Sequence, residues 1–252
     1  LVTRAGDIEF RKGGWTLRPG LVVNGKAITW ADVQLTATLE SGVLPIPCVR
    51  WDADAVSLEI TAVATRVDDR TVLLARYRIT NTGQQRLDGR LLLSAAPFQA
   101  LPPWQRLNLV GGHAPIRSVM ANTEGLLVSS RDRVRALTPA DGVGTSSATL
   151  AAPSGALPAG QRSTESHRVD DTQGFATGSL VFDLSLSAGK QREIVIAGAI
   201  GGGELGPLHT PDPLAMFDHT LARARESWTA PLRTPPRQLP PPPPPHAHRP
   251  PP

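Results

Sequence analysis

The sequence predicts an all-β protein: a large antiparallel β-sandwich, supersandwich-like in extent, then one C-terminal amphipathic helix and a disordered proline-rich tail. Three observations carry that reading. Apolar and polar residues alternate with a period of two in one segment after another between about Leu21 and Ile200, without helical periodicity between them. Residues near the end repeat instead at steps of three and four, and six consecutive prolines, Pro240 to Pro245, lie beyond them. At 252 residues the chain has room for a substantial core. The division is a sandwich over 1–207, a linker helix over 208–232 and a tail over 233–252.

The elements follow in order. Asn24-Gly25 sits between apolar arms from Leu21 to Trp30, and these two residue types readily take the positive φ angles of a two-residue hairpin turn. Alternation continues through Val33, Leu35 and Leu39, then Val56, Leu58, Ile60 and Val63, then Val72, Leu74, Arg76 and Arg78. Asn81-Thr82-Gly83 and Asp88-Gly89 read as turns before a strand from Arg90 to Ala96. Further strands are expected over Ser118–Val128, Gly178–Leu186 and Arg192–Ile200, and Thr138 to Thr164, rich in small residues, reads as a long surface loop. No fixed-period repeat points to a propeller or solenoid. In the helix, Asp212 is placed to cap, Pro213 suits the first position, and Leu214, Phe217, Leu221, Ala224 and Trp228 form one apolar stripe that Pro231 ends.

Composition excludes more than it assigns. The net charge of +4 owes three units to Arg233, Arg237 and Arg249, which leaves the body near neutral, a poor footprint for nucleic acid. No apolar run reaches membrane-span length, and Leu1 to Phe10 lack the order of a signal peptide. Cys48 has no second cysteine with which to form a disulfide within the chain. The chain opens on Leu1 and its arginines far outnumber its lysines, so its start is expected upstream and the tail reads as a truncated or out-of-frame end of a GC-rich gene.

Four stretches carry a family resemblance by their order. They are Ile28-Thr29-Trp30-Ala31-Asp32, the run from Gly42 through Pro45 and Pro47 to Trp51, the run from Leu74 to Asn81-Thr82-Gly83, and Pro97-Phe98-Gln99 followed by Pro102-Pro103-Trp104-Gln105. Over roughly residues 15–230 the chain resembles the N-terminal β-sandwich of bacterial six-hairpin glycosidase-like proteins, relatives of the glucoamylase, debranching-enzyme and cellobiose phosphorylase group. The resemblance implies a non-catalytic domain packed through a linker helix on an (α/α)6 barrel that holds the acid and base carboxylates. It implies that barrel as partner, with an oligo- or polysaccharide as the other candidate partner, and no catalytic residue in this chain; the residues themselves give no reason to expect a cofactor or metal. The proline tail departs from the pattern.

Candidate site residues follow from side-chain chemistry. An aromatic face stacks on the apolar face of a sugar while amides and guanidinium groups bond its hydroxyls, which singles out Trp104 with Gln99, Gln105 and Arg106. An autonomous carbohydrate-binding module using exposed tryptophans is therefore the alternative to a packing domain. Asp52, Asp54, Asp68 and Asp69 read as turn residues, and Trp30 and Trp51 as core. His113 and His167 lack metal-ligand spacing, His246 and His248 belong to the tail, and Gly201-Gly202-Gly203 lacks the lysine and helix of a phosphate loop. Arg237 before the proline run matches the recipe of an SH3-type ligand, a third and weaker reading.

Overall fold

The computed structural model describes residues 1–100, 112–147, 163–206, 208 and 210–232. In chain order the strands are β1 (Ile8–Glu9), β2 (Thr16–Val23), β3 (Lys26–Ile28), β4 (Gln34–Glu40), β5 (Leu44–Ala53), β6 (Val56–Val67), β7 (Arg70–Asn81) and β8 (Leu87–Ala96). They continue as β9 (Ser118–Asn122), β10 (Gly125–Val128), β11 (Asp132–Ala136), β12 (Gly142–Ser147), β13 (His167–Asp170), β14 (Ala176–Leu186) and β15 (Gln191–Ala199), and the helix α1 spans Pro213–Leu232. A 3-10 turn, Trp30–Asp32, joins β3 to β4. The strands form a six-stranded sheet, β1-β2-β8-β14-β12 with β3 also on β2, and a nine-stranded sheet, β13-β9-β10-β11-β15-β7-β6-β5-β4. The two face each other across a core in which Leu17, Leu21, Leu58, Ile60, Tyr77, Phe182 and Ile194 are buried, so the all-β sandwich read from the alternation is the observed architecture.

Short turns set the registers. Val23 pairs with Lys26 across Asn24-Gly25, whose φ angles of 50° and 82° are those of the expected hairpin turn. Two-residue connections also join β5 to β6 and β6 to β7, where Ala53 faces Val56 and Val67 faces Arg70. Asn81 has a different task. Fully buried, its side-chain amide donates to the carbonyls of Gln85 (2.7 Å) and Leu186 (2.8 Å) and accepts from the Gly83 amide (3.0 Å). One side chain thus fastens two of the crossings between the sheets, β7 to β8 and β14 to β15, and satisfies backbone groups that burial would otherwise leave unpaired.

Three sequence readings are corrected. Asp88-Gly89 lies inside β8 instead of a turn; a Cβ on Gly89 would stand 2.2 Å from the Val22 carbonyl oxygen, so the glycine marks the close approach of β2. The supposed loop from Thr138 contains β12, an edge strand on β14 whose small residues hid it. The Ser118–Val128 segment is two strands, folded back at Thr123-Glu124.

The helix lies on the outer face of the nine-stranded sheet. Asp212 caps it as expected, its Oδ1 accepting from the Ala215 amide at 2.9 Å. Phe217 and Leu221 are buried, with Leu214, Met216 and Ala224 packed beside them against Leu44, Ile46, Val63, Leu74, Val195 and Ala197. The buried part of the stripe stops there, because Trp228 is 52% exposed. Pro231 falls in the final turn and the helix closes one residue later.

Farther along the same strands the outer face turns from apolar to ionic. Arg50, Glu59, Arg78 and Glu193 stand directly opposite one another on β5, β6, β7 and β15, so charge alternates across four strands. Arg78 bonds Glu193 at 2.8 Å and Glu59 at 3.1 Å. The buried Arg76 joins this row to the helix: it lies 3.6 Å from Glu193, bonds Asp218 at 2.9 Å and sits 4.6 Å over the Phe217 ring.

Candidate functional site

Of the four residues singled out for sugar contact, Trp104, Gln105 and Arg106 lie outside the described residues. Gln99 is described: its Nε2 donates to the His113 carbonyl at 3.2 Å, and its buried Oε1 has no partner among the described residues. Phe98 and His113 form a backbone bridge beside it, and His113 stacks on Phe175 at 4.6 Å. Gln99 and His113 therefore hold together the two ends of the intervening segment.

Glycoside hydrolysis needs two carboxyl groups facing one bond. Asp7, Glu9 and Asp132 are the buried acids among the described residues, and each serves the chain itself. Asp7 pairs with Arg18 at 3.2 Å. Glu9 accepts the amides of Gly13 and Gly14. Asp132 accepts from the Trp15 indole at 3.1 Å and from the Gly203 amide at 2.9 Å. The glycine run Gly201 to Gly203, all at positive φ, thus wraps the protein's own carboxylate; a Cβ on Gly202 would fall 2.4 Å from Asp132 Oδ1.

Cavities give the remaining geometry. One of about 170 Å³ lies beside the β6–β7 turn, where Asp68 and Asp69 sit, and one of about 410 Å³ between β11 and the approach to α1. The third, about 560 Å³, opens at the corner where the chain crosses from one sheet to the other. Its apolar lining is Val23, Ile28, Ala53 and Val56, from both sheets, and its polar lining includes Asn24, Lys26, Asp32, Gln34, Asp52 and Asp54.

Local structure fixes the polar groups of that corner. Thr29 and Asp32 form a capping box around the 3-10 turn, with Asp32 Oδ2 accepting from the Thr29 amide (2.9 Å) and hydroxyl (2.7 Å). Those bonds, the hydroxyl's first, hold the Asp32 carboxyl below the usual carboxylate range, so it is an acceptor at neutral pH. Asp52 receives the Arg50 guanidinium on both oxygens at 2.9 Å. Trp30, within that turn, is 42% exposed. The core placement expected for Trp30 is thus wrong, whereas Trp51 is buried and donates to the Ala5 carbonyl at 3.1 Å. Sequence reasoning missed this corner because it gathers three segments, Val23–Ile28, Asp32–Gln34 and Asp52–Val56, that show no joint spacing. The exposed Asn-Gly turn beside a short tryptophan-bearing connection was its only local sign.

Among the described residues no three His, Cys, Asp or Glu side chains are grouped to hold a metal ion, and no described helix is long and apolar enough to cross a membrane.

No family model and no curated protein matches the chain. Among solved structures, a protein assigned as a kojibiose phosphorylase from the human microbiome aligns with 88% of this chain and 28% of its own, at 12% identity and a TM-score of 0.36. The chain therefore spans about 28% of the length of that protein.

Proposed function

We propose that this chain is the non-catalytic β-sandwich portion of a carbohydrate-active protein, of glycoside hydrolase or phosphorylase-like type, that packs against and supports a helical catalytic barrel. The observation that carries the reading is the one-sided docking of α1. Its Phe217–Leu221 flank is sunk in the sheet, while its C-terminal turns run out to Trp228, 52% exposed. Arg225 pins that end to Glu40 at 2.7 Å, beside the β4–β5 turn where Val43 is 69% exposed. A tryptophan presented at the end of a firmly seated helix suits burial under a neighbouring body.

The commitments of Asp7, Glu9 and Asp132 support the non-catalytic part of the reading, since each is engaged in holding a turn or a strand end. The order of the sequence motifs supports the carbohydrate class. The test is turnover by the purified chain on a panel of α- and β-linked disaccharides, with and without inorganic phosphate. No release of monosaccharide or sugar phosphate is expected, and sustained turnover would refute the reading. An autonomous carbohydrate-binding module is the second reading, favoured by the exposed Trp30 next to the corner cavity.

A further inference from the structure

We propose that the corner cavity between the β2–β3 hairpin and the β5–β6 turn is a binding site for a neutral sugar. The proposal goes beyond the supporting role and rests only on the carbohydrate class given above. Four features point to it, and they come from different parts of the chain.

The first is size and lining. About 560 Å³ accommodates one or two sugar rings, and Val23, Ile28 and Val56 supply an apolar floor from both sheets. A pyranose ring has one face of C–H groups that such a floor desolvates favourably, while its hydroxyls remain at the rim.

The second is unspent hydrogen-bonding capacity. The side chains of Asn24, Lys26, Gln34 and Asp54 line the cavity and make no hydrogen bond to other described residues. Asp32 uses only Oδ2 in its capping box. The rim therefore offers two amides, an ammonium and carboxylate oxygens, the mixture of donors and acceptors that vicinal hydroxyls require, since each hydroxyl both gives and accepts.

Charge is the third. Three carboxylates face one ammonium, and Arg50 is turned onto Asp52, so phosphate, sulfate and acidic sugars are disfavoured. The fourth is Trp30. Its neighbours Ile28 and Asp32 line the cavity, and Trp30 itself is 42% exposed on the turn between them, which the capping box holds.

Position keeps this site clear of the docking role. Leu44 at one end of β5 lies under the helix, while Ala53 at the other end lines the cavity, roughly 30 Å away along the strand.

The experiment is a titration of the full chain with glucose, maltose and cellobiose, followed by amide chemical shifts and tryptophan fluorescence. Saturable shifts are expected at Asn24–Gln34 and Asp52–Val56 with at least one of the three, with a dissociation constant on the order of 1 mM. The double variant Gln34→Ala/Asp54→Ala, at two exposed positions, should weaken binding by about tenfold or more, equivalent to about 1.4 kcal/mol. Trp30→Ala should remove most of the fluorescence change, and Trp228→Ala should alter neither readout. The proposal is overturned if no sugar gives saturable shifts, if the shifts map elsewhere, if the double variant binds unchanged, or if inorganic phosphate binds the corner as well as the sugars do. Failure here leaves the absence of turnover untouched, and turnover by the chain would leave the corner shifts untouched, so the two proposals fall separately.

Discussion

Replacing Phe217 with alanine should detach the helix, and the size of the effect follows from what the ring touches. Phe217 is fully buried among Leu74, Val195, Ala197 and Leu221, and its face carries the Arg76 guanidinium. Truncating a buried phenylalanine costs about 3–5 kcal/mol through lost transfer energy and the cavity left behind. Loss of the Arg76 contact adds about 0.5–2 kcal/mol, since that guanidinium is largely desolvated. The Arg76–Asp218 pair adds little of its own, because Asp218 is exposed. Trp228→Ala removes a larger ring that is 52% exposed, and should cost only about 1–1.5 kcal/mol. The two variants thus separate docking from presentation. Thermal unfolding should shift by about 7–28 °C for Phe217→Ala, at 2–4 °C per kcal/mol for a chain of this size, and by about 2–6 °C for Trp228→Ala. Amide exchange should show loss of protection across α1 first, followed by β15 and β7. Equal shifts from the two variants, or an unchanged midpoint in Phe217→Ala, would refute the one-sided docking.

Three other outcomes are expected. Glu193→Gln leaves Arg76 and Arg78 sharing a weaker acceptor in a half-buried row, and should lower stability by about 1–2 kcal/mol in chemical denaturation, with a smaller loss at high salt. Gly89→Ala sets a methyl group against the Val22 carbonyl, which backbone pairing holds in place; a loss of at least about 2 kcal/mol is expected, measured against Gly25→Ala, where a Cβ meets no other atom and only its positive φ is strained. The capping turn should loosen in acid. The Asp32 carboxyl titrates below its ordinary value of 3.8, so its contribution is fully present above that pH and is lost as the pH falls through the lower folded value; the Thr29 amide shift should follow that titration, and should stay flat in Asp32→Ala.

What the sequence revealed and what it hid divide along a physical line. The Asn24-Gly25 hairpin, the alternating strands and the Asp212-capped helix were legible because each is decided within a few residues, by φ preference, by period or by an orphan amide. β12 was hidden because Gly142–Ser147 has one valine, and its strand state comes from pairing with β14 at the sheet edge. Trp30 was misplaced for the opposite reason: local pattern favoured burial, but the crossing from one sheet to the other turns it outward. Gln99, singled out as a ligand contact, ties to the His113 carbonyl through Nε2 while its Oε1 has no partner among the described residues; a side-chain amide suits either task, and only its neighbours decide. The corner cavity depends on three segments brought together by the closure of the sandwich, which no local window contains.

The nine-stranded sheet explains how docking and binding can share one domain without interfering. Along β5 the outward positions pass from Leu44 and Ile46 through Cys48 to Arg50 and Asp52, so one strand runs from an apolar seat through a polar step to an ionic row. The register repeats this on β6 and β7, where Val63 gives way to Thr61 and Glu59, and Leu74 to Arg76 and Arg78. The apolar end has strength but little orientational preference; the ionic row supplies direction, because displacing the helix by one step would part Arg76 from Asp218 and from the Phe217 face. The corner cavity lies past the ionic row, so a helix held at the apolar end stays clear of its mouth. Because the two sites lie far more than 10 Å apart and share no side chain, Phe217→Ala and Gln34→Ala/Asp54→Ala should act additively on stability, within about 0.5 kcal/mol, and sugar affinity should be unaltered by Phe217→Ala. A coupling larger than about 1 kcal/mol would mean that helix seating deforms β5 along its whole length, and the separation of roles would fail with it.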